Sequence, residues 1–211
     1  MTNFIPIFPL GLVVYPGENL NLHIFEPRYK QLIRECVEQQ KPFGIPAVLD
    51  NQVKEMGTLV NVVEIVKVYD NDEMDIKTRG ADVFRILEVI REIPEKMYSG
   101  AIVNYPPNNI HGSSQLMKTV LDGLRALHQN LGVDKKFPKP DHELLSYDIA
   151  HHIGLSLQDE YRLLEFTQEL HRQEFLKRHI QKVLPVMKEM EELKEKIKLN
   201  GHFKSLPGFT N

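Results

Sequence analysis

The stretch His142-Glu143-Leu144-Leu145-Ser146 comes nearest to metal chemistry. In a zinc-protease helix, two histidines four residues apart hold the ion and the glutamate after the first activates water. Ser146 stands where the second ligand is required, so the motif is broken. His151 and His152 are adjacent, and on a helix neighbouring side chains diverge by about 100 degrees. His171 and His179 are eight residues apart, roughly two helical turns, too far for a shared ligand pair. Asp70, Asp72 and Asp75 have the oxygen chemistry of a calcium loop, but the glycine and closing glutamate are not at the required spacings, so they read as a solvated hairpin turn. No Gly-x-Ser-x-Gly elbow occurs. None of the 12 glycines precedes a lysine, so no phosphate-cradling Gly-x-x-x-x-Gly-Lys loop exists. The expectation is a chain with no catalytic residues, no metal site and no cofactor.

The charged residues that remain of interest are Glu26 and Arg28, in Phe25-Glu26-Pro27-Arg28-Tyr29. Pro27 suits the first position of a helix, Glu26 can cap it, and Arg28 can bond nearby carbonyls or a carboxylate. The same two side chains can border a peptide groove, while the Tyr29 ring joins the core and its hydroxyl finds a polar partner.

The elements around this box follow from periodicity. Two β-rich runs, Leu12 to Tyr15 and Leu20 to Phe25, flank a Pro16-Gly17 turn. Tyr29, Leu32, Ile33, Cys36 and Val37 then form one helical face that Lys41-Pro42 ends. Cys36 on that face reads as a small buried hydrophobe rather than a reactive thiol. Short strands follow over Gly44 to Leu49, Gly57 to Val68, Asp75 to Lys77, Val83 to Ile90 and Gly100 to Tyr105. Leu59 to Val68 is too continuously apolar for a one-faced strand, which predicts a central or bulged one. Beyond Tyr105-Pro106-Pro107-Asn108-Asn109 the pattern is helical. One helix is capped by Ser113 or Ser114 and ended by Gly132, a second runs from Leu144 to Ile153, and a third from Ser156 to about Leu170. The last runs from His171 to about Leu199 and is kinked or split by Pro185. Its charged positions read chiefly as a solvated face, and its apolar stripe past Pro185 spans about two heptads, which keeps a homodimer through this helix in view.

With these residues in place, the chain resembles the Lon N-terminal domain, the substrate-recognition module of ATP-dependent Lon proteases. The resemblance rests on the proline-punctuated apolar start, Pro16-Gly17, and the box Phe25, Glu26, Pro27, Arg28, Tyr29. It continues through Gly57-Thr58, Gly80 with Phe84-Arg85, and Tyr98. Ala81-Asp82-Val83 interrupts the third of these, and the family's Arg-before-Phe order is not kept. The resemblance implies an α+β fold, with a PUA-like β pseudo-barrel over 1–107 and an α-helical bundle with a long terminal helix over 108–211. It also implies non-catalytic recognition of polypeptide, with apolar side chains entering a groove and an open sheet edge adding main-chain hydrogen bonds. The ATPase and Ser-Lys protease parts of a Lon protease have no counterpart in this sequence, so a stand-alone form is expected.

Composition bounds the alternatives. With 42% hydrophobic residues, 26% charged residues and a mean hydropathy of -0.32, the sequence is that of an ordinary globular chain. It has no apolar run near the ~20 residues that span a bilayer and no signal-like start. One cysteine fits a reducing compartment, so a cytoplasmic location is expected. PUA-like folds elsewhere hold RNA, but residues 1–110 carry 11 Lys+Arg against 15 Asp+Glu, a balance that weighs against nucleic acid. The expected partners are polypeptide substrates or a folded protein; an RNA-binding protein and a helical adaptor are the alternatives.

Overall fold

The computed structural model describes residues 2–203; Met1 of the first expected unit and 204–211 of the second lie outside the described residues. Six strands form one antiparallel sheet: β1 (Thr2–Pro6), β2 (Asn19–Ile24), β3 (Phe43–Leu49), β4 (Gln52–Val68), β5 (Met74–Ile90) and β6 (Gly100–Asn104). The order is β1-β6-β5-β4-β3, with β2 added on β5. The segment after β1 closes the sheet on itself. Ile7 and Leu10 bridge Gly44 and Ala47 of β3 in parallel, and the Phe8 N–H donates to the Gly44 carbonyl at 2.8 Å.

Leu12 to Tyr15, expected as a strand, is paired in no ladder; Leu12 lies in a bend and Val13 to Tyr15 follow without regular structure. Two of its backbone groups bond to side chains instead. The Thr58 hydroxyl donates to the Val14 carbonyl, and the Tyr15 N–H donates to the Glu18 carboxylate at 2.9 Å. Val13, Val14 and Tyr15 are buried, so β-type residues serve here as a core-crossing loop. The turn behind them is as expected, with Gly17 at φ 84° and the Glu18 N–H donating to the Tyr15 carbonyl. This loop explains Gly80 in mid-strand: a Cβ there would lie 2.2 Å from the Tyr15 carbonyl oxygen.

The expected strands Asp75 to Lys77 and Val83 to Ile90 are the two ends of β5. β4 is central and bulged, with register shifts after Thr58, Val62 and Ile65. β2 and the distal halves of β5 and β4 make a three-stranded wing with rows such as Leu22, Ile76, Ile65 and Asn21, Lys77, Glu64. Helix α1 (Pro27–Gln39) covers the first kind of row and leaves the second to solvent.

The C-terminal half holds α2 (Ser114–Leu131), α3 (Ser146–Ile149), α4 (Leu157–Glu165) and α5 (Glu169–Phe203). Ser113 caps α2, Gly132 ends it in the left-handed region, and Ser156 caps α4. The second expected helix is shortened to α3 and a 3-10 turn over Ala150–His152, and the third ends at Glu165. α5 runs unbroken through Pro185. Pro185 and Gln181 are exposed, so water can satisfy the carbonyl that Pro185 leaves unpaired. Val186, Met190, Leu193 and Ile197 are all exposed along this helix.

One of the three hydrophobic clusters crosses 107/108, while the other two lie wholly on its N-terminal side. Val13, Tyr15, Ala47, Leu49, Met56 and Val83 lie in one cluster with Leu124, Tyr147, Ile153, Leu163 and Leu176. Polar contacts reinforce the seam. The Tyr15 hydroxyl donates to the Glu160 carbonyl at 3.0 Å, and the His151 ring lies between Glu160 at 2.7 Å and Glu18 at 3.2 Å. Burial opposes the charged imidazole, but bonds to Glu160 and Glu18 outweigh it and hold its pKa at about 10. A folded pKa above the unfolded one adds stability that is complete below about pH 6.5 and disappears as pH rises toward 10. His151 is 31% exposed, so screening leaves a contribution of about 1 kcal/mol. In urea titrations, His151→Gln is expected to be less stable than the parent by about that amount at pH 6. The gap should close by pH 10; a gap independent of pH would show the ring acting by packing alone.

Candidate functional site

Glu26 takes the N-cap position of α1 by its backbone, but its side chain makes no cap bond. Its carboxylate binds Arg28 at 2.8 Å instead, because the guanidinium two residues on is the stronger partner. Pro27 occupies the first turn as expected. The Arg28 guanidinium lies 4.5 Å from the Tyr29 ring centroid, and Tyr29 stacks on Phe8 at 3.8 Å. Of the five box residues, Phe25 alone is a large hydrophobe left exposed, 6.2 Å from the His23 ring at the end of β2.

The other end of α1 shapes a cleft. Gln40 adopts the left-handed conformation, the Lys41 N–H returns to the Cys36 carbonyl, and Pro42 turns the chain into β3. β3 therefore starts at Phe43, opposite Val60 of β4. β4 does not stop there: Asn61 to Val68 pair with β5 on one side and with no described strand on the other. Between this edge and the C-terminal turn of α1 lies a cleft of about 390 Å³, with Cys36, Val37, Gln40 and Lys41 on the helix wall and Asn61 to Ile65 on the strand wall. Val63 is 62% exposed and Val37 38%. Exposed valines on an unpaired edge are unusual, because edges are commonly blunted with charge or proline. None of the box residues lines this cleft.

Its lining offers apolar contacts, main-chain groups and one thiol. Cys36 is buried at its floor, where burial, aided by the Glu35 charge, pushes the thiol pKa up to about 12. Such a thiol stays protonated at neutral pH and is a poor nucleophile. A second cleft of about 440 Å³ lies between α2 and residues 141–145, over Met117, Leu121 and Leu144, with the Arg125–Asp141 pair at its rim.

The histidines and aspartates singled out by spacing are engaged separately. His142 faces Glu143 at 3.6 Å, and Ser146 is buried against Glu169. His151 binds the two carboxylates at the seam, while the His152 ring meets Phe137 edge-on. His179 bonds the Ile153 carbonyl, and His171 meets Phe166 edge-on. Asp72 pairs with Arg34 at 2.7 Å, and Asp75 binds His23 and the Tyr69 hydroxyl. Among the described residues no group of three or more His, Cys, Asp or Glu is placed to hold a metal ion, and no helix is long and apolar enough to cross a membrane.

Residues 5–182 match the family described as the ATP-dependent protease La (LON) substrate-binding domain. Among solved structures, the chain is similar to a Lon N-terminal domain protein from Xanthomonas campestris. The TM-score is 0.62 at 25% identity, over 82% of this chain and 96% of that one. It is also similar in fold to the N-terminal domain of a Lon protease of the Mycobacterium avium complex, with a TM-score of 0.63 at 12% identity over 85% and 98%. No curated protein matches.

Proposed function

The chain belongs to the LON substrate-binding domain family, and from that premise we propose that it is a non-catalytic module recognising unfolded or hydrophobic segments of other proteins. The observation that carries this reading is the cleft between α1 and β4, where apolar side chains and an unpaired strand edge lie side by side. Glu26, Arg28 and Tyr29 serve to set the start of α1, and Phe25 is the box side chain available to a client. The solvent face of the wing mixes Lys67, Lys77 and Arg79 with Glu64 and Asp75, which offers no continuous positive track to a phosphate backbone.

The test is binding of the purified chain to a fluorescent, permanently unfolded polypeptide and, in parallel, to a fluorescent single-stranded RNA, each at low and moderate salt. Saturable polypeptide binding that survives added salt, with no RNA binding, is the expected result. RNA binding that falls steeply with salt overturns the reading, as does silence in both arms.

A further inference from the structure

The distal edge of β4 has a physical requirement that the rest of the sheet does not. Within β3, the partner of β4 ends at Phe43, because the left-handed Gln40 and the ring of Pro42 turn the chain away into α1. β4 continues from Asn61 to Val68 along the line that β3 has left, with its second set of backbone groups unpaired by any described strand. Register shifts after Val62 and Ile65 divide this edge. Edge bulges ordinarily protect a sheet by placing charge or a kink against intruding strands. Here Val63 and Val66 lie at the two shifts, 62% and 50% exposed, and Val37 of α1 faces the same cleft.

We propose that β4 between Asn61 and Val66 accepts a short extended segment of client polypeptide as an added strand, prolonging the line of β3 beneath α1. The proposal rests on the polypeptide-recognition reading above and specifies its mode. Main-chain bonds to β4 supply affinity that is tolerant of sequence, while alternate side chains of the segment point into the cleft against Cys36, Val37 and Ile65. At about 3.3 Å per residue, the stretch between Val60 and the second bulge accommodates roughly five residues. Such a segment must be free of strand partners of its own, as an unfolded chain is along most of its length. The occupant is thus an exposed, β-prone run whose apolar residues alternate, in place of an amphipathic helix, which would leave the strand edge unsatisfied.

The experiment uses the full chain and a fluorescent nine-residue peptide alternating Val and Thr. Two further peptides carry N-methyl groups on all the valines or on all the threonines. An added strand bonds its neighbour through every second residue, so one methylated peptide is expected to lose at least tenfold in affinity and the other to bind as the parent does. Amide exchange of Asn61 to Val66 should slow on adding the parent peptide. The exposed substitution Val63→Asp should weaken binding by about tenfold with thermal unfolding unchanged, the effect of replacing an apolar contact on the strand wall by a charge that the added strand would have to desolvate. Binding of the parent peptide with equal effects of the two methylation patterns, or without protection on β4, overturns strand addition and leaves polypeptide recognition standing. No binding of any peptide or of the unfolded polypeptide overturns both.

Discussion

Arg172→Ala is expected to lower the unfolding free energy by about 3–5 kcal/mol, read as a shift of the urea midpoint at pH 7. Arg172 is fully buried, as is Glu169, its partner at 3.0 Å. The guanidinium also donates to the Ser146 hydroxyl at 3.1 Å, the Tyr147 hydroxyl at 3.3 Å, the Phe166 carbonyl at 2.6 Å and the Asn109 carbonyl at 3.1 Å. It lies 4.3 Å from the Tyr147 ring centroid. Truncation would strand the Glu169 carboxylate in the core and leave the Phe166 carbonyl without its side-chain donor, while the Asn109 carbonyl keeps the Glu169 N–H, and these costs exceed the net value of the pair itself. The network also ties Asn109, in the proline-rich connection after β6, to α3 and the start of α5. Arg172→Lys keeps the charge but offers one ammonium where a planar fork is used, so it should recover only part of the loss. A loss below about 1 kcal/mol for Arg172→Ala would mean that water enters and replaces the guanidinium.

None of this network was legible in the sequence. Glu169, Arg172 and Gln173 stand in a helix whose other charges are solvated, and three-residue and four-residue spacing looks the same for a buried pair as for an exposed one. The β-rich first half, the helical second half, the caps at Ser113 and Ser156 and the helix begun by Pro27 were all legible, because local chemistry sets them. Leu12 to Tyr15 misled for a physical reason: a run of Val and Tyr fits either a ladder or a core, and here Thr58 and Glu18 supply the bonds that a neighbouring strand would have made. The cleft was half visible. Lys41-Pro42 marked the end of α1, and the long apolar run to Val68 marked β4, but their juxtaposition depends on Phe43 pairing with Val60, a register that the sequence does not state.

Residues 1–107 expressed without the helices are expected not to reach a stable fold, although the chain changes character at that point. The six side chains Val13, Tyr15, Ala47, Leu49, Met56 and Val83 belong to the cluster completed by the helical half. Each large apolar side chain uncovered costs about 1.5–3 kcal/mol, so the five large ones together cost on the order of 10 kcal/mol. That figure is an upper bound, since the β half itself shields part of these surfaces. It still matches the whole stability of an ordinary domain, about 5–15 kcal/mol. The loss of Glu160 and His151 removes further partners from Tyr15 and Glu18. The fragment should therefore aggregate or show collapsed amide proton dispersion in solution spectra, while the full chain unfolds in one cooperative step. A fragment with dispersed amide signals and its own sharp thermal transition would show that the β half closes its core unaided. In that case the seam would be a contact between two separately stable units, and the helices could move relative to the cleft without unfolding it. On the cooperative outcome, Met56 ties β4 to the helical half, while α1 and the distal part of β4 pack in a cluster drawn from the β half alone, so that cluster walls the cleft and the ordering entropy falls chiefly on the client.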